Sequence, residues 1–264
     1  MSQIKLVACD LDGTLLNEKG ALSDKTIKTV KKLINKEIKF SIASGRNKAY
    51  VFNFVRELGS NVFSICNNGS NIYDNKQKSL INLSIERETI KEIINFFDKN
   101  KINYNGFDED RTYIQSKTSP VFDSSDKITF NIIVIDELED YPPLMKLLVM
   151  DEPNRILELK EKILKENFAS KVDITMSNAN CLDIVTKNST KGLGLTLLAE
   201  KLNISLDEIM AFGDAGNDVH MLETVGHPVI MDNALSYLKE KFDNIALSND
   251  KDGVATYLEK FFKL

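Results

Sequence analysis

The chain has 264 residues, 42% apolar and 28% charged, with a formal net charge of −5. That length suits two domains with a sizeable core, and the acidic balance argues against a non-specific nucleic-acid binder, whose phosphate partner needs a basic surface. No run of about 18 apolar residues is present to span a membrane, no basic-then-apolar leader opens the chain, and Cys9, Cys66 and Cys181 are too scattered for a disulfide framework or a zinc motif. A reduced, cytoplasmic setting is expected.

The opening stretch, Ile4 to Cys9, is an apolar run suited to a buried parallel strand, and it ends in Asp10-Leu11-Asp12-Gly13-Thr14. Burying an unpaired carboxylate is costly, so both aspartates should lie past the strand end, at a solvent-accessible crevice. If the chain stays extended they share a face and need a cation or a shared proton. An acidic strand–turn, a calcium loop and a catalytic metal site are all readings of this stretch alone. The calcium loop fits poorly, because the glycine comes too early and a strand leads in.

The next elements alternate. A helix capped by Ser23 or Asp24 runs to about Lys36, with Ile27, Val30, Leu33 and Ile34 on one stripe. A strand over 38–43 leads into Ser44-Gly45-Arg46, a helix over 48–58 follows, and a strand over 62–66 leads into Asn67-Asn68-Gly69-Ser70. This pattern predicts a parallel sheet whose strand ends converge on one crevice. The middle of the chain has a different grain: helices over 86–99 and 155–168, strands over 112–115, 128–135 and 145–150, and a hairpin of 172–177 and 181–186 around Asn178-Ala179-Asn180. It reads as an inserted α+β domain over 83–184, leaving 1–82 and 185–264 as the core. The parallel pattern returns with a helix over 192–202, a strand over 209–212, a short helix through Leu222, strands over 228–231 and 245–247, and a terminal helix over 254–262.

A second acidic stretch, Gly213-Asp214-Ala215-Gly216-Asn217-Asp218, also follows an apolar strand. By itself it is a surface turn of favoured turn residues; beside Asp10 and Asp12 it makes an oxygen-rich cage suited to Mg²⁺, a hard cation. Lys191, at a helix start, can add a full charge to an anion-attracting N-terminus, and Ser44-Gly45-Arg46 offers a hydroxyl and N–H groups to a phosphate oxygen. Gly192-Leu193-Gly194 is a poor dinucleotide fingerprint. His220 and His227, the only histidines, have no nucleophile partner by spacing and are expected in structural or surface roles.

Together, Asp10-Leu11-Asp12-Gly13-Thr14-Leu15-Leu16, Ser44-Gly45-Arg46, Lys191-Gly192 and Gly213–Asp218 resemble, in order, the four motifs of the haloacid dehalogenase superfamily. The spacing resembles its Cof-type branch, with a large α/β cap between the second and third motifs. Asn67-Asn68-Gly69, Asn233-Ala234 and the stretch 249–255 are similar to further parts of that branch. Two departures stand out: Ser44 where Thr is commoner, and Asp232 where Gly is usual. Asp232 could alter phosphate affinity or point away from the site.

The resemblance implies a Rossmann-like α/β core with an inserted cap, and an Mg²⁺-dependent phosphatase of small phosphorylated metabolites, sugar phosphates foremost. It implies that Asp10 is the nucleophile and Asp12 the acid and base. Asp10, Asp214 and the Asp12 carbonyl would hold Mg²⁺, with Asp218 and Thr14 behind them. Lys191, Ser44, Asn217 and the N–H groups of Leu11 and Gly45 would hold the phosphate. The cap would close over the leaving group, with Asp108–Arg111 and the 178–180 hairpin as candidate contacts. A phosphomutase and a catalytically silent metabolite-binding regulator are the alternatives. The expected partners are the metabolite alone, without nucleic acid or membrane, in a monomer or weak homodimer.

Overall fold

A computed structural model of the chain describes residues 3–109, 111–114, 131–135 and 141–264. In chain order, strand β1 (Leu6–Cys9) is followed by helix α1 (Asp24–Asn35), β2 (Lys39–Ala43), α2 (Lys48–Leu58), β3 (Val62–Cys66), β4 (Asn71–Tyr73) and β5 (Ser79–Asn82). Then come α3 (Arg87–Lys99), β6 (Asn105–Phe107), β7 (Arg111–Ile114), β8 (Asn131–Val134), β9 (Lys146–Met150), α4 (Pro153–Ile163), β10 (Val172–Asn178) and β11 (Cys181–Thr186). The last stretch holds α5 (Lys191–Leu202), β12 (Ile209–Gly213), α6 (Val219–Thr224), β13 (His227–Met231), α7 (Ser236–Lys239), β14 (Ile245–Ala246) and α8 (Gly253–Phe262). No helix among the described residues is long and apolar enough to cross a membrane.

The chain forms two compact units, one of Met1–Arg46, Val51–Ile81 and Thr190–Leu264, the other of Asn47–Tyr50 and Asn82–Ser189. In the first, the sheet order is β14-β13-β12-β1-β2-β3-β4-β5. The strands from β14 to β3 run parallel, and β4 pairs antiparallel to β3. β1 is buried along its whole length, as its apolar run requires. The chain leaves β1 toward β2 on one side and returns through β12 on the other. This makes a switch point, and the carboxyl ends of strands beside such a point line a ligand crevice. Leu6, Ala8, Ile65, Leu195, Leu198 and Ala211 are among the residues that pack the core on one face of this sheet.

The second unit is α+β. Its sheet, β10-β11-β9-β6-β7-β8, is antiparallel at the described pairings except where β8 runs parallel to β7. The apolar stripes of α3 (Ile90, Ile93, Ile94, Phe97) and α4 (Ile156, Leu159, Ile163) join Leu147, Val149, Leu182 and Ile184 in one core.

The α/β class with a parallel core follows the sequence reading, with local differences. The helix expected over 155–168 is shorter. α4 starts earlier, with Pro153 in its first turn, and ends at Ile163, where the Lys165 and Glu166 N–H groups turn back onto Lys162 and Ile163. Phe168 still reaches the core, from a separate tight turn over Asn167–Lys171. Residues 115 and 128–130, expected as strand, and Asp110 of the 108–111 loop lie outside the described residues. Strands β4 and β6, three residues each, and the four-residue α7 are too short to show a period in sequence.

The Ser23 hydroxyl caps α1 by accepting the Thr26 N–H at 3.0 Å. Ser23→Ala is expected to cost about 1 kcal/mol of stability, read as a lower urea midpoint with an unchanged slope.

Candidate active site

Asp10 follows β1, and the chain then makes a wide turn. The Leu15 N–H reaches the Asp10 carbonyl at 3.2 Å and the Leu16 N–H reaches the Leu11 carbonyl at 2.9 Å. Gly13 stands at φ +86°, and a Cβ there would run into the Asp214 carboxylate, so the position requires glycine. The chain therefore does not stay extended, and the two aspartates do not share an environment. Asp10 is buried rather than open to solvent, whereas the Asp12 side chain is 45% exposed. The turn separates them.

Asp10 is satisfied from α5. The Lys191 Nζ, 1% exposed, donates to Asp10 Oδ1 at 2.5 Å and to Asp218 Oδ1 at 2.7 Å. The other oxygen of Asp218 accepts the N–H groups of Asp214 and Ala215, each at 3.0 Å. Asp218 thus fixes Lys191 and the turn after β12 with one carboxylate. Thr14 donates to Asp214 Oδ1 at 2.8 Å, tying the first acidic turn to the second across 200 residues. Leu11 is buried at the start of the turn.

Asp12 meets a residue that the sequence reading quoted without giving it a role. Arg46 donates from Nε and Nη2 to the two Asp12 carboxylate oxygens at 3.1 and 3.2 Å, a two-pronged pair. The only sequence signal was its place directly after Ser44-Gly45. The buried Ser44 orients this tripeptide, its Oγ accepting the Arg46 N–H at 3.1 Å. Asn68, also without a predicted role, joins two motifs. Its N–H donates to the Ser44 carbonyl at 3.0 Å, its Oδ1 accepts from Asn217 Nδ2 at 3.2 Å, and Gly45 lies against the same side chain. Asn233 Nδ2 holds the Gly13 carbonyl at 2.8 Å, and Asn249 holds both Asn233 Oδ1 and the Leu16 carbonyl. Asp232 turns outward: its side chain is 57% exposed and lies 3.6 Å from Lys239.

One ligand oxygen from each of Asp10, Asp214 and Asp218 lies within 4.8 Å of the others. Three carboxylates against one ammonium leave two negative charges uncompensated when all are ionised. Burial pushes the Asp10 carboxyl well above its ordinary range; Lys191 opposes this, and Asp218 and Asp214 add to it. Burial and the Asp218 charge raise Asp214 to about 6, against the Thr14 hydrogen bond. Burial alone would push the Lys191 ammonium down, but Asp10 and Asp218 hold it above its ordinary value, so it stays charged. Hard oxygen donors with this charge deficit fit a divalent cation better than a soft metal.

An Asp-ended β1 beside an Asp-ended β12, with a buried lysine between Asp10 and Asp218, places an acidic cluster at the carboxyl edge of the parallel sheet. The chain belongs to the haloacid dehalogenase-like hydrolase family, which it matches over residues 7–258. It is 27% identical to the HMP-PP phosphatase of Serratia proteamaculans over 98% of this chain and 96% of that one. A haloacid dehalogenase-like hydrolase from Bacteroides thetaiotaomicron superposes with a TM-score of 0.89 at 25% identity, over 98% of this chain and 100% of the other. TM0651 from Thermotoga maritima gives 0.86 at 31% identity, over 98% and 97%.

The raised Asp214 value has a sign. The folded protein binds this proton more tightly than the unfolded chain, so the contribution of Asp214 to stability falls as pH rises from 3.8 to about 6. A divalent cation held by Asp214 would compete for the same oxygens. The gain in Tm on adding Mg²⁺ to chelator-stripped protein should therefore be larger at about pH 7 than at about pH 5. Equal gains would contradict the assignment of Asp214 to a cation site.

Proposed function

We propose that the protein is an Mg²⁺-dependent phosphatase that hydrolyses phosphate monoesters of small metabolites, sugar phosphates foremost, through an aspartyl-phosphate on Asp10. The observation that carries this reading is the buried Lys191 ammonium held between Asp10 and Asp218 beside Asp214. In such an arrangement the ammonium favours the ionised form of the carboxylate and aims it, while supplying positive charge where a phosphate would sit.

In this reading Asp10 attacks phosphorus, forming the acyl-phosphate bond as the bond to the leaving oxygen breaks. Asp12 gives that oxygen its proton, then takes one from the water that attacks phosphorus and releases phosphate. Its half-exposed position suits proton exchange, and the pairing with Arg46 fixes the direction of its carboxylate. Lys191, Ser44, Asn217 and the N–H groups of Leu11 and Gly45 hold phosphate oxygens. Asp10, Asp214 and the Asp12 carbonyl would hold the cation, with Asp218 and Thr14 setting their positions. The cation supplies charge neutralisation, which lets one anion approach another.

The similarity to a relative named for HMP-PP supports a small phosphorylated metabolite as substrate. The protein would act in the cytoplasm as a monomer or weak homodimer, without nucleic-acid or membrane partners.

Asp10→Asn keeps the side chain's size and removes its nucleophilic charge. Its kcat for p-nitrophenyl phosphate should fall on the order of 10³-fold or more with the circular dichroism spectrum unchanged, and excess chelator should abolish wild-type turnover. Near-wild-type rates in either case would refute the mechanism.

A further inference from the structure

Lys191 carries the site, and its side chain is four carbons long. Something must fix where that chain begins. Thr190 caps α5, its Oγ1 accepting the Leu193 N–H at 3.1 Å, while its carbonyl accepts the Gly194 N–H at 2.9 Å. The hydroxyl still has its hydrogen to donate, and His220 Nδ1 lies 3.2 Å from Thr190 Oγ1. An imidazole with its hydrogen on Nε2 accepts that bond at Nδ1.

The same histidine closes the other side of Lys191. A Cβ on Gly192 would collide with the His220 ring nitrogen and carbonyl, so the imidazole and backbone of His220 pack directly on the α5 backbone there. The His220 carbonyl also accepts the Thr224 hydroxyl at 2.5 Å, securing the residue within α6. Thr190 and Gly192 flank Lys191, and His220 contacts both. Two residues before His220 stands Asp218, the second carboxylate on Lys191. His220 therefore joins the helix start that carries the ammonium to the element that carries its partner.

We propose that His220 is a positioning residue that, through the hydroxyl of Thr190, sets the Lys191 ammonium against Asp10. The proposal rests on Lys191 being the phosphate-binding cation of the phosphatase reading. It assigns His220 more than helix packing: an acceptor at Nδ1 is required, not bulk alone.

The test compares His220→Leu, which removes the acceptor, with His220→Asn, whose Oδ1 can take the place of Nδ1, and Thr190→Val with Thr190→Ser. Two readouts are followed. One is the ¹H–¹⁵N resonance of the Lys191 ammonium, assigned by its loss in Lys191→Met. The other is kcat and KM for p-nitrophenyl phosphate. His220→Leu and Thr190→Val should shift the resonance and lower kcat roughly tenfold, more than they change KM, because small displacements of a catalytic group are costly. His220→Asn and Thr190→Ser should retain both readouts. Should His220→Leu fail to fold, the two Thr190 variants carry the same comparison. An unmoved resonance and an unchanged kcat alongside a lowered Tm would overturn the proposal, as would an asparagine that restores nothing. A wild-type chain that hydrolyses no phosphate ester would refute the phosphatase reading, while the resonance would still decide the role of His220.

Discussion

The structure depends most on a single ammonium. Lys191 is buried against Asp10, 181 residues away in sequence, and against Asp218. An ammonium without partners would cost several kcal/mol at that depth, and each of the buried carboxylates would cost as much without it. Asp218 repays the arrangement by holding two backbone N–H groups with its second oxygen, so the turn after β12 is shaped by the same pair that anchors the lysine. Removing Lys191 leaves both carboxylates buried without a counter-charge, and removing either carboxylate takes one of two acceptors from the ammonium. The sheet order makes the arrangement reachable, because β1 and β12 are neighbours and their carboxyl ends deliver Asp10 and Asp214 side by side.

The wide turn after β1 divides the work between two carboxylates two residues apart. Gly13, at positive φ and pressed against Asp214, lets the backbone reverse there. Asp10 stays in the buried cluster, where burial and neighbouring anions make it a costly charge that a cation would relieve. Asp12 leaves for a half-exposed position and an arginine partner. Two residues of one type thus acquire different electrostatic surroundings from one turn, the condition for one to act as a nucleophile and the other to move protons.

Much of this was legible in the sequence, for identifiable reasons. β1 and β3 are fully buried runs, and their apolar character alone marks them. Lys191 and the two acidic turns stand at element ends, where polar residues are conspicuous. What the sequence could not carry was pairing. The two-pronged Arg46–Asp12 contact joins residues 34 apart, and the Thr190–His220 contact joins residues 30 apart, with nothing local to announce either. His220, expected in a structural or surface role, is exposed, and its Nδ1 faces the cap of α5. Asp232 was open between an effect on phosphate binding and an outward pose; its pairing with Lys239 gives it the second. Asp10 and Asp12 would share a face only in an extended chain, and that condition is not met, because the turn closed by Leu15 and Leu16 is set by long-range packing around Gly13 and Asn233.

The central claim is that the buried, lysine-held carboxylate of Asp10 is the group that receives the phosphoryl moiety. The most direct measurement is rapid acid quench during turnover of a phosphate ester, followed by peptide mass spectrometry. The account predicts the mass of one added phosphoryl group on the peptide containing Asp10, localised to that residue by fragmentation and absent in Asp10→Asn. A phosphoryl group on another residue, or turnover that proceeds with Asp10 never modified, would contradict it.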